Sequence, residues 1–360
     1  MNRATPSDTS LEAYDYALPE ERVAQEPAER REAARLLVLD RAAPGGAPGE
    51  ARVEDLGDFL RPGDLLVLNE SRVFPARLRA RKPTGGRVDL LLVSRDPDDA
   101  GGDAWVCLAS TGRGLRPGGR LEVAPGFDAE FLGEAGDGRL RIRLHAAGLS
   151  PEEAIERHGV MPVPPYIRRE PGDPREALDR LRYQTVFARS SGSIAAPTAG
   201  LHLTEAILDD LAARGVPNAR LVLHVGPGTF QPVRTPDVTR HRIEPEAFRL
   251  PGETAAAVAA CRSRGGRVVA VGTTVTRVLE ARAAEDGTVR PGEGRCDLFI
   301  GPGHRFRAVD ILMTNFHLPR SSLLVLVAAF AGRERVLAAY REALRRGFRF
   351  YSYGDAMLVL

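Results

Sequence analysis

The chain changes texture twice, and those changes limit its fold more than any other feature. Over residues 62–145 it runs in short alternating stretches, among them DLLVLNESRVF, ARLRARK, RVDLLLV, AWVCLA and RLRIRLH, broken by Pro-Thr-Gly-Gly, Pro-Gly-Gly and Gly-Asp-Gly. Short strands at regular spacing, with turn signals between them, predict a small antiparallel barrel. The alternation stops at Ser150-Pro151-Glu152-Glu153. This run supplies an N-cap, a proline at the first helical position and a glutamate placed for a capping box, and Gly159 closes the helix it starts.

Strands then alternate with helices. Thr204 caps a helix that buries Ile207, Leu208 and Leu211 and stops at Gly215. RLVLHVG (220–226) and RVVAVG (267–272) are strands, the second running straight into the helix TTVTRVLE, and a buried helix from Ser322 and an amphipathic one ending at Gly347 follow. With the apolar strand at Leu36, the fold class is α/β. A mixed-sheet main domain (residues 1–60 and 150–360) carries an inserted small antiparallel β-barrel (residues 61–149). A length of 360 residues exceeds one ordinary core, which fits this division.

Composition narrows the function classes. The 43% apolar and 27% charged residues are those of an ordinary globular protein, and the longest apolar run, residues 323–331, is too short to cross a bilayer. The N-terminal residues 1–12 show no basic-then-apolar leader, so a cytoplasmic protein without membrane partners is expected. Cys107, Cys261 and Cys296 are isolated, which speaks against a disulfide framework or a structural zinc site. A net charge of +2 does not argue for nucleic acid by itself. Placement says more: Arg77, Arg79 and Arg81 share one strand face, with Arg72 and Arg87 nearby. That strip is either a solvated sheet face or a set of phosphate contacts.

Histidines stand at element ends among glycines and hydroxyl side chains. His202 precedes the Thr204 helix, His224 ends a strand before Gly226-Pro-Gly228-Thr229, and His317 lies in Thr314-Asn315-Phe-His317 ahead of Ser321-Ser322. One such residue is more often structural. Three in equivalent rim positions make proton-transfer groups the better reading. Gly272-Thr273-Thr274 places hydroxyls and free N–H groups at a strand-to-helix junction, suited to an anion or ribose hydroxyls, unless a threonine merely caps the helix. A Rossmann glycine triplet, an H-E-x-x-H metal motif and a G-x-S-x-G elbow are all absent from the sequence.

Long motifs in one order resemble the S-adenosylmethionine:tRNA ribosyltransferase-isomerase family of queuosine biosynthesis. They include LPEERVAQEPAERR (18–31), RPGDLLVLNESRVFPARL (61–78), MPVPPYIRR (161–169), YQTVFA (183–188), APTAGLHLTE (196–205), LHVGPGTFQPVR (223–234), GGRVVAVGTT (265–274) and TNFHLPRSSLL (314–324). The sequence departs from the family's usual pattern at Val275, Arg295 and Pro227. The resemblance implies that the ribosyl unit of S-adenosylmethionine moves to 7-aminomethyl-7-deazaguanine in a tRNA anticodon, while adenine and methionine leave. S-adenosylmethionine is then a consumed substrate, with no cofactor and no metal, and a monomer is expected.

That chemistry needs a base for the C5′ proton beside the sulfonium and an acid for adenine departure. His202, His224 and His317 are the catalytic candidates. Arg234 and Arg277 suit the methionyl carboxylate or tRNA phosphates. Thr198, Thr229, Thr273 and Thr274 suit ribose hydroxyls, Glu280 suits an amino group, and Asn315 completes the donor-binding set. Arg72, Arg77, Arg79 and Arg81 are the tRNA-binding candidates. A methyltransferase acting on RNA and a noncatalytic RNA-binding protein are the alternatives.

Overall fold

The computed structural model describes residues 7–43, 46–99, 101–110, 114–230 and 232–360. The start of the polar N-terminal stretch and Gln231 of LHVGPGTFQPVR lie outside them. Strands β1 (Arg35–Leu39) and β2 (Gly49–Arg52) pair at one edge of a large sheet, and β3 (Leu65–Asn69) runs through its middle. The short β4 (Ser71–Val73) leads to β5 (Arg77–Arg81), β6 (Arg87–Arg95), β7 (Ala104–Ala109), β8 (Arg120–Ala124), β9 (Phe127–Gly136) and β10 (Arg139–Ala146). These six close into a barrel in the order β10-β7-β6-β5-β8-β9.

Helices α1 (Pro151–His158) and α2 (Glu176–Arg182) bring the chain back to β11 (Ser190–Ser193), which pairs in parallel with β4. The rest comprises α3 (Glu205–Ala213), β12 (Asn218–Leu223), β13 (Glu246–Leu250), α4 (Gly252–Ser263), β14 (Val268–Val271), α5 (Thr273–Arg282), β15 (Gly292–Cys296), β16 (Ile311–Asn315), α6 (Ser322–Ala331), α7 (Arg333–Arg345) and β17 (Ala356–Val359). The large sheet is nine-stranded and mixed, in the order β15-β13-β12-β3-β14-β16-β17-β1-β2.

Residue pattern explains the difference between the two sheets. Every residue of β3, β14, β16 and β17 is buried, because helices cover both faces. Leu65 and Val67 face the core shared with α4–α7, while Leu66 and Leu68 face the core shared with α3. Barrel strands instead alternate, with Leu78, Ala80, Val88, Leu90 and Leu92 turned into the barrel's own core. Closure removes the exposed edges that six short strands would otherwise present.

The inserted barrel is present, but its expected boundaries shift. Residues 65–69, placed in the barrel on sequence, form β3 of the large sheet, so the barrel begins at Arg77. LLVLN is uniformly apolar because it is covered on both faces, and such a run carries no alternation to mark which sheet it joins. At the other end, α1 contributes Ala154 and Ile155 to the barrel's core. Its cap is as expected: Ser150 Oγ accepts from Glu153 N–H at 3.2 Å, and Glu153 Oε2 accepts from Ser150 N–H at 2.8 Å. Gly159 follows this helix in an extended conformation, and the position takes only glycine because a Cβ there would lie 2.0 Å from the carbonyl oxygen of Pro75. Among the described residues no helix is long and apolar enough to cross a membrane.

Asp64 locks the start of β3 to that of β14. Fully buried, it accepts from the backbone N–H groups of Arg61 (3.0 Å) and Arg267 (2.9 Å) and from the Arg267 guanidinium at 2.6 Å. Burial alone would raise its pKa, but these bonds hold it below the usual carboxylate value. We expect Asp64→Ala to cost about 2–4 kcal/mol in urea unfolding, since it strands two N–H donors and a guanidinium. The carboxylate's contribution should be complete above pH of about 4 and fade as pH falls through the lowered native value. An unchanged midpoint in the variant would contradict this role.

Candidate active site

Four parallel strands, β12, β3, β14 and β16, end together on one side of the large sheet. The long connection from β3 to β12 carries α3 against one face of the sheet, whereas β14 runs straight into α5 on the other, which opens a crevice between the ends of β3 and β14. Asn69, at the end of β3, bridges that crevice. Its Nδ2 donates to the Leu223 carbonyl (3.0 Å) and to Thr274 Oγ1 (3.3 Å), and its Oδ1 accepts from the N–H groups of Leu223 and Ser71, both at 3.1 Å.

A small cavity of about 70 Å³ lies over these ends and gathers six of the expected residues: Thr198, Thr229, Thr273, Thr274, Asn315 and His317. Gly272 caps α5 at a φ of 94°, a conformation that favours glycine, and no side chain caps the helix. Thr273 therefore begins the helix rather than capping it. The N–H groups of the first turn and the positive end of the helix dipole are turned to the cavity. Burial drives His317 down to about 3, so its ring is neutral near pH 7; Nε2 is 2.9 Å from Thr314 Oγ1. Asn315 Nδ2 reaches His202 Nε2 (3.1 Å) and the Tyr351 carbonyl (3.2 Å), while its buried Oδ1 has no hydrogen-bond partner. Tyr351, on the cavity wall, is held at a φ of 71°, unusual for a non-glycine residue.

A larger cavity, about 520 Å³, separates the barrel from the sheet. Phe74, Arg95 and Trp105 line one side and His224, Thr229 and Glu246 the other. Val225 and Thr229 line both cavities, so the two adjoin. The wall between them is pinned by Glu246, whose Oε1 accepts from Gly226 N–H (2.7 Å) and Thr229 Oγ1 (3.2 Å). His224 Nδ1 lies 3.0 Å from Ser71 Oγ, and burial, with Arg249 adding, lowers its pKa.

The three histidines are thus not one cluster. His317 lines the small cavity and His224 the larger one. His202 stands behind Asn315, accepting from it, and is driven down to about 4 by burial with Arg349 and Arg31 adding. Two expected ligand residues are committed elsewhere. Arg277 is buried and donates to the carbonyls of Leu298 and Cys296 and to Glu246 Oε2. Glu280 accepts the N–H groups of Arg307, Ala308 and Val309. Burial would raise its pKa, but His304 and those three donors hold it below the usual value. Both residues lie along α5 beyond the turn that meets the cavity. Arg234 is exposed and lines neither cavity.

The arginine strip divides in the same way. Arg77 is half-buried and donates to the Val163 carbonyl at 3.3 Å, and Arg79 pairs with Glu176 at 2.7 Å. Arg72 and Arg81 remain exposed, with exposed Arg87 directly opposite Arg81. Among the described residues no group of three or more His, Cys, Asp or Glu is arranged to hold a metal ion. Sequence reasoning missed Asn69, Ser71, Glu246 and Tyr351. Asn69 and Ser71 stood in the quoted NESRV run, but Glu246 sits in an ordinary strand and carries no local signal.

Known proteins of similar sequence point one way. A family described as queuosine biosynthesis protein matches residues 11–359. S-adenosylmethionine:tRNA ribosyltransferase-isomerase from Geobacter sulfurreducens is 50% identical over 346 residues, 96% of this chain and 98% of that protein. The enzyme of the same name from an Anaeromyxobacter species is 54% identical over 350 residues, 97% of this chain and 98% of that protein. A crystal structure of S-adenosylmethionine tRNA ribosyltransferase from Thermotoga maritima is 36% identical, covers 97% of this chain and 100% of its own, and superposes with a TM-score of 0.53.

Removing the Arg277 guanidinium leaves buried Glu246 with the Gly226 and Thr229 donors but without its cationic partner. We expect Arg277→Ala to lose about 3–5 kcal/mol in denaturant unfolding, and Arg234→Ala to stay within about 0.5 kcal/mol. Equal, small losses in the two variants would return Arg277 to the role of a free ligand-binding group.

Proposed function

The chain belongs to the queuosine biosynthesis family, and from that premise we propose its reaction. The ribosyl part of S-adenosylmethionine is transferred and isomerised onto the aminomethyl group of 7-aminomethyl-7-deazaguanine in tRNA, giving epoxyqueuosine-tRNA with release of adenine and methionine. The observation that carries this reading is the pair of adjoining cavities, one at the sheet's crevice and one facing the barrel, with a shared wall of Val225 and Thr229. Two chambers in contact suit a transfer between a nucleoside donor and a base on a polymer, since they hold both reactants close together.

About 70 Å³ admits one end of the donor, and the remainder extends past Val225 and Thr229 toward the larger cavity. The methionyl carboxylate meets the free N–H groups at the start of α5, which fill the role first expected of Arg277. The unpartnered Asn315 Oδ1 accepts from a donor hydroxyl or ammonium, and leaving it empty would be costly. His317, uncharged and on the wall of the small cavity, is our choice for the group that takes the proton acidified by the sulfonium, although burial weakens it as a base. His202 orients Asn315. The base enters the larger cavity, while exposed Arg72 and Arg81, which do not line it, are the proposed contacts for tRNA phosphates farther along the polymer. Both cavities are built within one chain, which fits a monomer, and the tRNA substrate fits the cytoplasm. S-adenosylmethionine serves as a substrate only.

Incubation with S-adenosylmethionine and tRNA carrying the precursor base should release one adenine and one methionine for each tRNA modified. Nothing should be released without that base. Mass analysis of the nucleosides checks this. S-adenosylhomocysteine without a ribosyl adduct would show methyl transfer instead, and no consumption of the donor would leave a noncatalytic RNA-binding protein.

A further inference from the structure

We propose that His224 acts as a neutral hydrogen-bond donor, its Nε2–H turned into the larger cavity by two buried serines, where it reads an acceptor atom of the bound base. This rests on the base-binding role given above to that cavity.

The two serines come from the paired strands that join barrel and sheet. Ser71 (β4) and Ser193 (β11) are both fully buried. Ser71 Oγ is 3.0 Å from His224 Nδ1 and also hydrogen-bonds Ser193 Oγ, which in turn accepts from the Val225 N–H at 2.8 Å. Three oxygen or nitrogen atoms in a row share two hydroxyl protons, and only one arrangement satisfies them all. If Nδ1 carried the ring proton, it would donate to Ser71, Ser71 would donate to Ser193, and the Ser193 hydroxyl would be a buried donor without an acceptor. In the reverse direction Ser193 donates to Ser71 and Ser71 donates to Nδ1. Nothing is then left unpaired, and the ring proton sits on Nε2.

Backbone geometry fixes which edge of the ring meets the cavity. Gly192 has a φ of 145°, and a Cβ there would lie 2.8 Å from both Cε1 and Nδ1 of His224. Its backbone therefore packs over the Nδ1–Cε1 side of the ring as no larger residue could, and with Ser71 occupying Nδ1, Nε2 is the ring nitrogen left for the cavity that the ring lines. Burial favours the uncharged ring. A neutral imidazole with Nε2–H has no lone pair there to take a proton from the substrate. It suits a ring carbonyl or ring nitrogen acceptor, such as the carbonyl oxygen of a guanine-like base.

Two measurements test this. Nitrogen NMR of labelled wild-type protein near neutral pH should show His224 as the Nε2–H tautomer, and Ser71→Ala should add the Nδ1–H form. A dominant Nδ1–H tautomer in the wild type would overturn the proposal. In turnover assays His224→Gln, whose amide nitrogen falls near Nε2, should stay within about tenfold of wild type, while His224→Ala falls by about 10². If the glutamine variant is as inactive as the alanine variant, His224 is a base and the donor role is wrong. Wild-type turnover in the same assay separates the claims: its absence defeats the proposed function, whereas turnover with the two variants equally inactive defeats only the donor role.

Discussion

The side-chain amide of Asn69 holds the whole arrangement in register. Its four hydrogen bonds join the end of β3 to the end of β12, the first turn of α5 and the start of β4. Each element carries one part of the site: β12 leads to His224, α5 offers its N-terminus, and β4 supplies Ser71 before entering the barrel. The amide is buried, so each lost bond would leave an unsatisfied group rather than a hydrated one. One residue thereby couples the position of the barrel to that of the small cavity.

Around that anchor, polar groups are buried to hold loops, and only a few are left open. Glu246, Arg277 and Glu280 use their charges to fix connections. Among the described residues, Asn315 Oδ1 and the Tyr351 hydroxyl on the small cavity and Trp105 Nε1 on the larger one are buried without a hydrogen-bond partner, and no side chain caps the first turn of α5. Rigid support behind a small number of unsatisfied groups is the arrangement expected where binding energy is to be directed at one reacting centre.

Sequence pattern revealed the barrel because a strand covered on one face alternates, and the capped helices because their signals are local. It did not reveal where β3 belongs, since LLVLN is covered on both faces and reads alike in either sheet. Thr273, Thr274, Asn315 and His317 gather at one cavity because they stand at or just beyond the ends of β14 and β16, where backbone topology brings them to the crevice; Thr198 and Thr229 reach it on short 3-10 turns. Arg277 and Glu280, expected to hold the donor, are both bonded to neighbouring groups of the protein, and residue type does not tell a ligand-binding charge from one that ties down a loop. Alternation put Arg77 and Arg79 on one face correctly, but it could not tell what covers that face. Glu246 pairs with a residue 31 positions away on another element, and no local pattern marks it.

The modified base is proposed to enter the cavity between barrel and sheet, and the chain's single tryptophan reports on that cavity directly. Trp105 lines that cavity beneath the Arg95 guanidinium, 4.4 Å from its ring centroid. Fluorescence can be titrated with two anticodon stem-loops, one carrying 7-aminomethyl-7-deazaguanine and one abasic at the same position. Both loops should bind through their phosphates, and only the base-bearing one should saturably change the Trp105 emission. Identical emission changes from the two loops, or none from either despite binding, would contradict the account.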